Sequence, residues 1–206
     1  MSRPQKATND QIFAATQRAM SRHGPGELTL AHIATEAGVT AGALVQRFGS
    51  KRELLLAMSA AWSGGSEAFF DDIRAKYPSP LAALRYYAEC MAGMAASPAS
   101  FARNLAYLQI DLTDADFRKH LVIGARATRR GLEAVIRDAI KAGELVASTD
   151  AARLARTVEA MIGGSLLTWA HYRQGAAAAW ILDDVDAVLE PYLARRTRAK
   201  RTARRK

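Results

Sequence analysis

The chain has 206 residues, of which 50% are hydrophobic and 24% charged, with a single cysteine, Cys90. This composition suits one or two globular domains and excludes a low-complexity chain, a collagen-like fibre and a disulfide scaffold. The net charge of +9 is unevenly placed: residues 1–62 hold seven basic against four acidic side chains, 63–194 fourteen against sixteen, and 195–206 eight against none. A nucleic-acid surface is therefore expected at the two ends of the chain and not in its middle.

Apolar residues repeat at helical spacing throughout, and no strand or hairpin signal interrupts them, so the expectation is an all-α protein of about nine helices. The first helix spans about Thr8 to His23, with Ile12, Phe13, Ala15, Thr16, Ala19 and Met20 inside, and His-Gly-Pro-Gly at 23–26 stops it. Thr29 and Thr40 are placed to cap the second and third helices. Between them Gly38 supplies the positive φ that a tight turn needs. The small Ala34, four residues earlier, lets one helix cross closely over the other. Ile33, Ala37, Val39 and Leu44 face inward, which leaves Thr40, Ala41, Ala43, Gln46 and Arg47 outside. This is the layout of a helix-turn-helix that reads DNA with its second helix.

Ser50, with Glu53 three residues on, opens a long fourth helix to about Lys76. Ser79-Pro80 and Ser97-Pro98 are cap-plus-proline starts for helices near 80–96 and 98–111. Thr113 is expected to open a helix to about Ala142, ended by Gly143. Thr149 or Asp150 opens one that reaches Gln174, and the last covers about 177–195. The last two present apolar stripes, including Val158, Ile162, Ser165 and Trp169 in one and Ile181, Val185, Val188 and Tyr192 in the other. A helix that is apolar over most of its girth needs cover on more than one side. The expectation is a homodimer through a four-helix bundle at these residues, with Gly163, Gly164 and Ser165 allowing close approach. A two-fold dimer would also set two reading helices about one turn of duplex apart.

Residues 8–62 resemble the TetR family of transcriptional regulators. The stretch IFAATQRAMSRHG is similar to that family's first helix. TLAHIATEAGVTAGALVQRFGSKRELL is similar to its helix-turn-helix, Phe-x-Ser-Lys junction and fourth-helix start. The resemblance implies a homodimeric DNA-binding domain at 1–50, a linking helix at 51–76 and a ligand-binding and dimerisation domain at 77–194. It also implies repression from a palindromic operator and release by a small effector. Carried over by position, Thr29, Thr40, Ala41, Gly42, Ala43, Gln46, Arg47 and Lys51 are the DNA-binding residues. Thr29 and Lys51 fall where the family meets phosphates, and Phe48 where it holds the third helix. Two positions depart from the pattern: Val45 stands where tyrosine is common, and Arg47 where histidine or tyrosine is.

Aromatic and sulfur-bearing side chains with a few polar groups are the candidates to line a mostly apolar effector cavity: Trp62, Tyr86, Cys90, Met94, Phe101, Asn104, Tyr107, His120 and Trp169. Arg103 and Gln109 are further polar candidates. No catalytic role is expected. His23, His32, His120 and His171 show no metal-binding spacing, and no nucleophile elbow or phosphate-cradling loop occurs, so neither an enzyme, a metal nor a cofactor is anticipated. The polar start MSRPQKATND and the short apolar tracts lead to an expectation of a soluble, cytoplasmic protein without a membrane span. The tail RRTRAKRTARRK at 195–206 has no apolar face and is expected to be disordered. It raises an alternative function, general nucleic-acid binding through the tail.

Overall fold

Side-chain caps set the helix starts in the computed structural model, which describes residues 7–194. Thr8 Oγ1 accepts the Gln11 N–H while Gln11 Oε1 accepts the Thr8 N–H, and this reciprocal box opens α1, Asn9–Arg22. Thr29 caps α2, Leu30–Ala37, and Thr40 caps α3, Ala41–Phe48. Ser50 Oγ accepts the Glu53 N–H at the start of α4, Lys51–Lys76. Then follow α5, Pro80–Gly93; α6, Pro98–Thr113; α7, Ala115–Lys141; α8, Ala151–Tyr172; and α9, Ala177–Leu189, with a 3₁₀ turn at Glu190–Tyr192. The fold is all-α, as expected. Among the described residues the only extended pairing is an isolated bridge between Leu145 and Leu193. No helix among them is long and apolar enough to cross a membrane.

Several boundaries differ from expectation, among them α5, which ends at Gly93 and not near 96. Asp114, not Thr113, caps α7: its Oδ1 accepts the Asp116 N–H at 2.9 Å. The Thr113 hydroxyl donates back to the Gln109 carbonyl at 2.7 Å and so finishes α6. A carboxylate at an N-cap is the stronger acceptor, and its charge suits the helix dipole. At the other end α9 stops at Leu189, because Pro191 has no N–H to continue it. At α8 the left-handed residue after the helix is Arg173 (φ 55°), with Gly175 (φ 64°) two residues on.

The chain forms two compact units. Among the described residues, one gathers those up to Gly64 with Ala99–Ile123, and the other gathers Gly65–Pro98 with those from Gly124 to Ala194. The first has a core of Ile12, Phe13, Leu28, Ile33, Ala34, Leu44, Leu54 and Met58, joined by Tyr107 and Phe117 from α6 and α7. In the second, α5, α8 and α9 pack together. They bury Leu84 and Ala88 of α5, Leu154, Val158 and Ile162 of α8, and Ile181, Val185 and Leu189 of α9.

Within this packing the residues expected to form the dimer stripe lie as follows. Val158, Ile162, Ser165, Trp169, Ile181 and Val185 are buried within the single chain, and Val188 and Tyr192 are half-buried. These side chains already fill the chain's own core, because α5 covers the apolar face of α9. The exposed side of α8 instead carries Ala160, Gly163, Gly164, Leu167 and Thr168. The basic tail at 195–206 lies outside the described residues.

Candidate nucleic-acid interface

The first unit builds its candidate reading surface from the turn outward. Gly38 takes φ 65° and ψ 31°, and its N–H bonds back to the Thr35 and Ala34 carbonyls, which closes α2. Only a residue without Cβ adopts that left-handed shape at no cost. Val39 and Ala37 then tuck against the core, and Thr40 Oγ1 accepts the Ala43 N–H at 3.1 Å to start α3. Leu44 is α3's anchor, 1% exposed, and Phe48 meets Phe13 of α1 with ring centroids 6.1 Å apart. With those positions held, Gly42, Ala43, Val45, Gln46 and Arg47 face solvent together. Ala41 is half-buried and packs on the core. The surface is thus small side chains at the helix start, then an apolar Val45 and two long polar groups. Short residues at the N-terminal end let a helix sit deep in the major groove, and the long ones can then reach base edges.

Two cations expected at DNA are engaged inside the chain. Arg47 Nη1 donates to the Ala7 carbonyl at 2.5 Å, and its guanidinium lies 5.8 Å from the Phe48 ring centre. Lys51 Nζ donates to the carbonyls of Leu28 at 2.7 Å and Pro25 at 3.1 Å. Lys51 therefore ties the loop before α2 to the start of α4. Thr29 Oγ1 accepts the His32 N–H at 3.2 Å, so its hydroxyl oxygen is a cap.

Several supports of this surface were invisible in the sequence. Arg18 and Arg22 of α1 both pair with Glu36 of α2, and the guanidinium hydrogen bonds hold the Glu36 carboxyl below its ordinary range. Arg103 Nε donates to the Ser21 carbonyl at 2.8 Å and Tyr107 to the His23 carbonyl at 2.9 Å, so α6 side chains finish the C-terminal end of α1. Burial pushes the Tyr107 phenol up to about 12. His23 stacks on His32 with ring centroids 4.0 Å apart. All of these partners are far apart in sequence, and no local pattern announces them.

The candidate effector residues fall in both units. Trp62, Phe101, Asn104, Tyr107 and His120 belong to the first, and Tyr86, Cys90, Met94 and Trp169 to the second. Trp62 and Tyr107 line a pocket of about 80 Å³ together with Met20, Met58, Asp111 and Phe117. Trp169 Nε1 donates to the Gly175 carbonyl at 3.1 Å, which places it at the α8–α9 corner. Tyr86 stands against Tyr77 with Lys76 over its ring, and Met94 is exposed.

Residues 12–58 match the family model of bacterial regulatory proteins, tetR family. No curated protein matches the chain. Among solved structures the chain is similar to a TetR transcription regulator from Haloarcula marismortui, at 22% identity and a TM-score of 0.70 over 90% of this chain and 97% of that one. It is also similar to a TetR transcriptional regulator from Streptomyces coelicolor, at 23% identity and a TM-score of 0.70 over 91% and 99%. A third is SmeT, the repressor of a Stenotrophomonas maltophilia multidrug efflux pump, at 21% identity and a TM-score of 0.64 over 92% of each chain. At such identities the likeness is one of fold.

Proposed function

We propose, from the match of residues 12–58 to the tetR-family model, that this chain is a homodimeric, sequence-specific transcriptional repressor of that family, released from a palindromic operator by a small, mostly apolar effector. The observation that carries the reading is the α3 surface. Leu44 anchors the helix, Gly38 closes the turn before it, and Ala43 and Gln46 stand exposed, with Arg47 exposed beside them while its guanidinium bonds the Ala7 carbonyl. In this reading Gln46 and Arg47 choose sequence, with Arg47 leaving the Ala7 carbonyl for a guanine edge or a phosphate. Thr29, and the Lys51 charge together with the backbone amides at the start of α4, set affinity through phosphates. The dimer forms through the exposed side of α8 at Gly163, Gly164 and Leu167, where the space over both glycines is open.

Selection of binding sites from random duplexes in about 150 mM salt, which weakens nonspecific phosphate contacts, tests this reading. A palindrome with half-sites about one helical turn apart is the expected product. Binding without enrichment would overturn it in favour of general nucleic-acid binding through the eight basic side chains at 195–206. Deleting that tail would then remove the binding and flatten its salt dependence.

A further inference from the structure

Within the first unit α1, α4, α6 and the start of α7 enclose the pocket of about 80 Å³ lined by Met20, Met58, Trp62, Tyr107 and Phe117. One charged group faces this apolar and aromatic wall, the half-buried carboxylate of Asp111. Among the described residues Asp111 has no hydrogen-bond or ion-pair partner, and this sets it apart from nearby Asp114, which Arg52 holds. Burial alone raises its pKa, with no nearby cation to lower it. A carboxylate that is partly desolvated and unpaired is a poor structural choice, since burial of a charge is unfavourable without a partner. It becomes a good choice when the partner arrives with a ligand.

We propose that this pocket binds the cationic head of an organic ammonium compound, with Asp111 as its counter-ion. Aromatic side chains beside a carboxylate suit such a cation twice, through ion pairing and through the negative faces of the rings. An anion would meet Asp111 unscreened, and a neutral ligand would leave the carboxylate unpaired. The volume is small against the several hundred Å³ of a drug-sized site. Only the head group enters, and the rest of the ligand lies outward past Trp62, which is 43% exposed at the rim. The ligand is the effector of the reading above, and the inference rests on that reading for its effect on DNA but not for binding itself. Two of its walls, α1 and α4, pack with α2 and α3 in one core.

The test titrates the full-length protein with benzyltrimethylammonium, benzyl alcohol and benzoate in a calorimeter, and repeats the series with Asp111→Asn. The expected order is the cation first, the alcohol weaker and benzoate without measurable binding. Asp111→Asn should weaken the cation by roughly tenfold or more, the scale of one lost charge-assisted contact, and leave the alcohol unchanged. Absence of cation binding, equal binding of all three ligands, or an unchanged Asp111→Asn variant would overturn the site. The ligand series on the unaltered protein decides the matter even if the variant fails to fold. Operator release is measured separately by fluorescence anisotropy. Binding without release would leave the site standing and remove the effector reading.

Discussion

The Lys51 ammonium stands 2.7 Å from the Leu28 carbonyl oxygen and 3.1 Å from that of Pro25. A side chain proposed to meet a phosphate is thereby also the clamp between the loop before α2 and the start of α4. Thr29, the cap of α2, follows directly on that loop. The two roles separate energetically, because the clamp acts without DNA and the phosphate contact only with it.

Lys51→Met should therefore lower stability in the absence of DNA. Two charge-assisted bonds to carbonyls, half-exposed, amount to about 1–3 kcal/mol, and a chain of this size loses roughly 2–4 °C in Tm per kcal/mol. Thermal denaturation followed by circular dichroism reads this directly. Affinity for matched and mismatched duplexes should fall equally, since phosphate contacts carry no sequence information. An unchanged Tm would mean that the clamp contributes nothing.

A second prediction concerns Gly131 and Phe70 in the second unit. A Cβ on Gly131 would press on Cγ and Cδ2 of the Phe70 ring, well inside van der Waals contact, and that ring is buried and flanked by Phe69 and Tyr87. Two effects oppose each other in Gly131→Ala. Helix propensity gains about 1 kcal/mol in the middle of α7. Overpacking costs about 1–3 kcal/mol, and the near atoms include the root of a ring that cannot swing aside. The clash outweighs the gain, and a net loss of up to about 2 kcal/mol is expected. In a double-mutant cycle with Phe70→Leu the two losses should be strongly non-additive, because the smaller side chain vacates the contact. Additive losses would sink the account.

Local chemistry was legible in the sequence and long-range packing was not. Thr29, Gly38, Thr40 and Ser50 announce their roles within four residues, since a cap or a left-handed turn is satisfied by its neighbours. That is why the helix-turn-helix could be drawn residue by residue. The site depends further on Glu36 meeting Arg18 and Arg22, on Tyr107 meeting the His23 carbonyl, and on Lys51 reaching Leu28. Nothing in local spacing foretells these. The apolar stripes of α8 and α9 were legible as apolar, but periodicity does not say which surface covers them, and α5 of the same chain does. Asp111 carries no signal in the sequence, because its oddity is the absence of a partner, which only packing reveals.

The Arg52 cluster predicts a pH dependence. Hydrogen bonding to the Arg52 guanidinium, foremost, and to the Asp116 and Phe117 N–H groups holds the Asp114 carboxyl below its ordinary 3.8. A lowered folded-state pKa gives stability that is present above the unfolded value and is lost as pH falls through the folded one. Arg52→Ala should thus reduce Tm at pH 7, and the difference from the parent should shrink as pH drops below about 3.8. The pair is solvent-exposed, so the effect should also weaken in molar salt. A difference that stays constant from pH 7 to pH 3 would assign the loss to packing of Arg52 on Phe117 instead.

Asp111 carries the opposite sign. Its folded-state pKa is raised by burial, so the ionised form is disfavoured in the native state above that value and the penalty disappears below the unfolded 3.8. Asp111→Asn should raise Tm at neutral pH, and the gain should vanish in acid. Thermal scans across that range decide it. A loss of stability at pH 7 would mean that the carboxylate has an internal partner, contrary to the pocket geometry.

The proposed dimer face yields the last prediction. Leu167 lies 41% exposed on α8 beside Gly163, Gly164 and Thr168, whereas Ile162 is 5% exposed and packs inside the chain. Leu167→Arg puts a charge onto the proposed interface without touching the core, and should yield a folded monomer in sedimentation velocity that has lost high-affinity operator binding. Ile162→Ala should do the reverse. It opens a core cavity at a cost of about 2–5 kcal/mol and leaves the dimer intact below its melting transition. The contrast separates the two faces of one helix. A dimer that survives Leu167→Arg would move the interface off α8 altogether, because the opposite face of that helix is already occupied by its own chain.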